Sequence, residues 1–252
     1  MRKVTTRKLS AWLVLLLASG SACAAQDPQD QAIEAACPGV ATWQAAQKAA
    51  HASQSEEAIA ARDAARHFAA PEERRQLLQR VQADQQARDA ALAASEGAGP
   101  DGAAARAVYK HAYEVDGDNL AWLKARVHKS GFPTVEQVGE QGMSAAFLLV
   151  QHADRDPPFQ MRVLDTLQRR GADKGVKDSE LALLTDRVLR AQKKPQRYGT
   201  QFGPDPAHPG KVLMAPVEDA ADLDERRAGV GLMPISDYRC VMEVVYGAAP
   251  QG

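Results

Sequence analysis

His152 is the side chain in this sequence best suited to moving a proton at neutral pH, where an unperturbed imidazole titrates. It lies in Gly142–Gln160, GMSAAFLLVQHADRDPPFQ. There the apolar run Ala145–Val150 leads directly into Gln151, His152 and Asp154, with Gln160 just beyond. As a general base, His152 would be oriented by Asp154 or Asp186, with Tyr198 as a hydrogen-bond donor, a hydrolase or lyase arrangement. A histidine at a helix end also has a plainer use: it binds the orphan carbonyls of the last turn and complements the dipole there. His152 and Asp154 could supply two metal ligands only if the helix unwound after His152, because residues two apart face nearly opposite ways. No second pair with metal spacing accompanies them and His208 is isolated, so no metal site is assigned.

The glutamines are the less common observation. Gln160, Val163, Leu164 and Leu167 recur at i, i+3, i+4 and i+7, which turns Gln160 inward with the apolar stripe. Gln151 follows an apolar run, and Gln196, Tyr198 and Gln201 lie in QRYGTQF at 196–202. Buried amides cost free energy unless hydrogen-bonded. These groups therefore form either a structural network or the lining of a pocket for a neutral polar ligand such as a sugar or a peptide amide. Asp84 with Arg88, and Asp186 with Arg190, read as surface pairs at i, i+4. Arg226 and Arg227, beside Asp222, Asp224 and Glu225, read as a solvated, self-neutralising helix. GxSxG, Walker, GxGxxG and HExxH motifs are absent, which removes the well-marked hydrolases, nucleotide binders and zinc proteases. No cofactor is implied.

The elements that must position these groups are mostly helices. Ala, Gln, Glu and Arg dominate 26–94, with almost no β-branched residues. Helices are predicted near 41–69 and 71–94, the second opened by Pro71 with Glu72 and Glu73 beside its N-terminal dipole. Glu96–Gly102 reads as a loop, and Asp116-Gly117-Asp118 as a turn between helices at 103–115 and from Asn119 to Gly131. Asp156 is predicted to cap a helix with Pro157 at its first position, and Gly171 to end it. Asp178 or Ser179 opens another. Gln196–Phe202 alternates like a strand and can pair with Val212–Val217 as a hairpin. Short helices are expected at Leu223–Ala228 and after Ser236. The fold class is mainly α: packed antiparallel helices with one small β-hairpin, preceded by an Ala-rich arm at 26–70, with the helical domain at 71–246.

Residues 1–25 carry the layout of a secretory signal peptide. Arg2, Lys3, Arg7 and Lys8 precede a short apolar core, and small residues place cleavage near Ala24 or Ala25. A lipoprotein acylated at Cys23 is the rival reading, disfavoured by Gly20 three residues before it. The chain is expected in the periplasm or secreted, with no stable membrane insertion once the leader is gone. Removal of Cys23 leaves Cys37 and Cys240, an even number in an oxidising compartment, and predicts a disulfide between them. A formal net charge of −1 over 252 residues argues against a nucleic-acid partner. An unknown envelope ligand or protein is the expected partner.

With these strings in view, the chain resembles an uncharacterised bacterial domain family. The resemblance rests on DQQAR at 84–88, DNLAWLK at 118–124, GFPT at 131–134, VGEQG at 138–142, LLVQHADRDPPFQ at 148–160, LTDRV at 184–188, QRYGTQF at 196–202 and DLDERRAGVGLMPISDY at 222–238. It covers roughly residues 75–240 and implies a shared fold but no reaction, cofactor or partner. The leading expectation is an exported helical binding module whose polar site gathers Gln151, His152, Asp154, Gln160, Gln196, Tyr198 and Gln201. The alternative is the His152 hydrolase or lyase.

Overall fold

Pro71 ends an irregular stretch and starts a 28-residue helix, as its fixed φ and missing N–H allow at a first turn. The computed structural model describes residues 28–98, 103–208 and 211–246. The segment read as a signal peptide, Cys23, and residues 99–102 of the predicted loop lie outside them. In chain order the helices are α1 (Pro28–Ala36), α2 (Pro38–Ala50), α3 (Glu56–Ala64), α4 (Pro71–Ala98) and α5 (Ala103–Ser130). There follow α6 (Val135–Gln151), α7 (Pro157–Arg170), α8 (Asp178–Ala191), α9 (Leu223–Ala228) and α10 (Ile235–Tyr246). Strands β1 (Phe202–Pro204) and β2 (Val212–Met214) form an antiparallel hairpin, so the fold is mainly α with, among the described residues, one small hairpin. The chain divides into two compact units. One is Glu57–Lys177; the other joins the residues up to Glu56 with Asp178 onward.

In the unit Glu57–Lys177, α4, α5 and α6 pack on one another. Leu77, Leu123, Val138, Met143, Ala146, Val150 and Leu167 are fully buried there. Each larger apolar side chain contributes about 1.5–3 kcal/mol by leaving water. Thr134 and Gln137 form a capping box at the start of α6. Four residues on, Gly139 takes a non-helical φ of 74° and kinks the helix. Buried Asp63 then caps the restarted segment by accepting from the Glu140 and Gln141 amides at 2.9 and 3.0 Å. Arg74 pairs with the same carboxylate at 2.9 Å. Any Cβ at Gly139 would fall 2.6 Å from the Asp63 oxygens, so the close approach needs glycine as much as the φ does.

The turn predicted at Asp116-Gly117-Asp118 does not form: α5 runs through it. Asp116 is buried and pairs with the half-buried Arg88, and a Cβ on Gly117 would lie 2.3 Å from the Arg155 guanidinium. That guanidinium lies 3.5 Å over the Tyr113 ring. These tertiary contacts override a local sequence of poor helix formers. The helix expected at 41–69 is also interrupted, by the non-helical stretch 65–70 and by a short 3₁₀ turn at Ala52–Gln54 between α2 and α3.

In the other unit, Ile33, Cys37, Val40, Met233 and Val241 make a small core, with Trp43 and Tyr238 against it. Cys37 and Cys240 are joined by a disulfide, their Cα atoms 5.9 Å apart. Phe202 pairs with Met214 across the hairpin and meets Tyr238 edge-on at 5.7 Å. The strand predicted from Gln196 starts only at Phe202, because 196–201 is gathered around a buried carboxylate instead. The expected solvated helix at 223–228 forms, but Arg227 is only 1% exposed and faces the interior.

Candidate functional site

The C-terminal end of α6 delivers His152 into a cluster of charges. The helix ends there because His152 leaves helical geometry, and Asp156 re-caps the chain for α7 by accepting from the Phe159 amide at 3.0 Å. Gln160 ties the two helices together. Its amide donates to the Val150 carbonyl at 3.0 Å, the Gln151 carbonyl at 3.2 Å and Asp154 at 3.4 Å. The inward glutamine thus satisfies carbonyls that the end of α6 would leave orphaned. Gln151 is itself buried, and Asp154 is half-buried.

The carboxylate against His152 belongs to Asp84 of α4. Its two oxygens lie 3.0 and 2.9 Å from Nδ1. Arg88, one turn along α4, sits in the centre. Its Nε is 3.1 Å from Asp84 and 3.1 Å from His152 Nδ1, and its Nη2 donates to Asp116 of α5 at 2.6 Å. With its proton on Nδ1, His152 donates to Asp84; with it on Nε2, Nδ1 accepts from Arg88. Asp84, Asp116 and His152 are 1%, 4% and 6% exposed. The i, i+4 pair expected on the surface therefore has its carboxylate buried and Arg88 half-buried, and it joins three helices.

The two carboxylates are pushed apart electrostatically. Burial alone would raise the Asp84 pKa, but the hydrogen bond and charge of His152, with Arg88, outweigh it and hold the pKa below the ordinary value. Asp116 rises to about 7. Burial is the main cause, and the negative charges of Asp84 and Asp154 add to it against the pull of Arg88 and Arg155. One ligand atom each from Asp84, Asp116 and His152 lies within 4.8 Å of the others, a grouping that could hold a divalent cation. A cation would have to displace Arg88, which is bonded to all three.

The second unit places the remaining predicted residues elsewhere. Asp186 on α8 accepts from the backbone amides of Arg197, Tyr198 and Thr200 at 2.7, 3.0 and 2.9 Å, and from the Thr200 hydroxyl at 2.9 Å. Arg227 grips the same loop from its carbonyl side. It donates to Tyr198 O at 2.5 Å and to Met233 O at 2.6 Å, and lies 4.9 Å from the Tyr238 ring centre. Gln196 is fully buried. Its amide donates to the Gln201 and Ala215 carbonyls, and its oxygen accepts from the Gln201 amide at 2.6 Å. Gln201 also donates to Thr200 Oγ1 at 3.1 Å. Tyr198 is half-buried. His208 pairs with Asp205 in an exposed turn.

A family model described as a family of unknown function (DUF6624) matches residues 71–250. The chain belongs to that family. The match takes in α4 to α10 and hence every residue of both charged clusters. No curated protein and no solved structure matches the chain. No helix among the described residues is long and apolar enough to cross a membrane.

Proposed function

We propose that this member of the family is an exported binding module of the bacterial envelope, sent out by the leader at 1–25 and closed by the Cys37–Cys240 disulfide. The Asp84–Arg88–Asp116–His152 centre is the keystone that holds α4, α5 and α6 in register, and the ligand is met on the outer faces of those helices. One observation carries this reading. His152 is 6% exposed and its Nδ1 lies against both Asp84 and Arg88, so that nitrogen is committed to the protein. The segments Gln151–Asp154 with Gln160, and Gln196–Gln201, frame the polar features of their respective units.

A second reading, a hydrolase or lyase, is favoured by a specific feature. His152 does have a carboxylate to orient it, Asp84, and a second carboxyl, Asp116, holds its proton to about pH 7. Two carboxyls driven apart in this way can divide acid and base roles. Ligand-observed NMR with small peptides, sugars and acidic sugars on the mature wild type and His152→Ala separates the two. The module reading expects unmodified probes that still bind the variant, together with a loss of about 2 kcal/mol in folding stability. Turnover of any probe that disappears in His152→Ala refutes it and establishes the second reading.

A further inference from the structure

Along the same α4–α5 seam, toward the N-terminal end of α4, lies an open cleft of about 510 Å³. Arg80 and Asn119 form its polar floor, with Trp122, Gln76 and Gln79 around them. Two hydrogen-bond donors in this cleft lack acceptors. Arg80 stacks 4.6 Å over the Trp122 ring and spends one N–H on Asn119 Oδ1 at 3.0 Å. Among the described residues no carboxylate bonds to it, and Asp118 acts on it through its charge alone, although a guanidinium carries five donors. Asn119 is 5% exposed, and its Nδ2 is buried with no partner at all. The Arg80 bond fixes which way that amide points, so the orphan is a true donor. A buried donor left unpaired is costly and calls for an acceptor.

We infer that this cleft is a binding site for a small ligand carrying a single carboxylate, received by the Arg80 guanidinium fork and the Asn119 amide. The inference rests on the binding-module reading and names the ligand class it lacks. A guanidinium already stacked and oriented is preorganised for a planar, bidentate anion. Trp122 and the two glutamines offer an apolar face and amide groups to the remainder of the ligand. Asp118 stands in the wall, and Arg75 is held by both oxygens of Glu72. The cleft therefore has little positive charge beyond Arg80, which favours a monoanion with neutral bulk over phosphate. A peptide C-terminus and a uronic acid share that chemistry.

The test uses the mature chain, N-acetylalanine and glucuronate as probes, and N-acetylalaninamide, glucose and inorganic phosphate as controls. Binding is read by calorimetry and by the Asn119 side-chain amide resonances. At least one carboxylate probe should bind and shift those resonances, its neutral counterpart should bind about tenfold more weakly or not at all, and phosphate should be weak. The probe that binds says whether the source is peptide or sugar. Asn119→Asp is isosteric, gives Arg80 an internal carboxylate and should reduce affinity at least about tenfold while the chain stays folded. Equal binding of charged and neutral probes, undiminished binding by Asn119→Asp, or no carboxylate response at millimolar concentration overturns the inference. Neutral probes binding away from Asn119 would leave the module reading in place. Turnover lost in His152→Ala would remove that reading without touching this site.

Discussion

Replacing Asp116 with asparagine should change how stability depends on pH more than it changes stability at any one acidic pH. The Asp116 carboxyl rises from an ordinary 3.8 to about 7 in the folded protein. Below 3.8 the folded and unfolded chains both hold the proton, and the stabilisation is complete. Between 3.8 and 7 only the folded chain holds it, so stability falls by about 1.4 kcal/mol for each pH unit. Above 7 the proton is gone from both states. The full span amounts to about 4 kcal/mol, and the part between pH 5 and pH 8 to about 3 kcal/mol. Asp84 acts in the opposite direction. Its folded pKa is lowered, so its contribution is present above 3.8 and is lost only as the medium becomes more acid. A window from pH 5 to pH 8 therefore leaves Asp84 out of account.

Asparagine keeps an oxygen for Arg88 Nη2 and has no proton to lose. Urea unfolding at pH 5 and pH 8 should show the wild type losing about 3 kcal/mol more than Asp116→Asn across that interval. Taking the difference between the two proteins cancels the pH dependence common to both, including that of Asp186 in the other unit, whose pKa burial raises. Trp122 lies on α5 and Trp43 on α2, so a Trp43→Phe background gives a fluorescence signal from the unit that holds Asp116. If wild type and variant lose stability in parallel from pH 5 to pH 8, Asp116 is an ordinary ionised partner of Arg88. Burial, Asp84 and Asp154 together would then not overcome the guanidinium.

Two further outcomes are expected in the other unit. Asp186→Ala leaves three backbone amides and a hydroxyl without their acceptor and should cost about 3 kcal/mol; hydrogen exchange should lose protection at Arg197, Tyr198 and Thr200 while the amides of α4 keep theirs, and unchanged protection in the loop would show that Asp186 does not organise it. Reduction of Cys37–Cys240, which spans 203 residues, should destabilise the chain by at most about 5 kcal/mol in the chain-entropy account; a reduced chain that unfolds at the same urea concentration as the oxidised one would refute that contribution.

The local signals read correctly from the sequence are those in which one residue's backbone chemistry decides the outcome. Pro71 and Asp156-Pro157 start helices because of what proline and a capping carboxylate do to a first turn. Gly131 and Gly171 end helices with positive φ, 77° and 57°. Cys37 and Cys240 are bonded to each other. The local signals misread are those settled by a distant partner. Asp116-Gly117-Asp118 has turn composition, and nothing within five residues announces that Arg88 will take the carboxylate or that Arg155 will fill the space above the glycine.

The charged centre was nonetheless within reach of the same periodicity that placed Gln160 inside. Leu77, Asp84, Ala87 and Ala91 share one stripe of α4, and all four are buried. Asp116, Asn119 and Leu123 share one stripe of α5, again all buried. The i, i+4 spacing of Asp84 and Arg88 is the same whether the pair faces water or the core, so spacing cannot distinguish the two cases. The stripe can. A carboxylate on an apolar stripe must find a cation or take up a proton when the helices close. Two such stripes meeting at Arg88 put two carboxylates on one guanidinium. Asp84 gains His152 as a second partner and stays ionised, and Asp116, with no such partner, is the one that holds its proton to about pH 7.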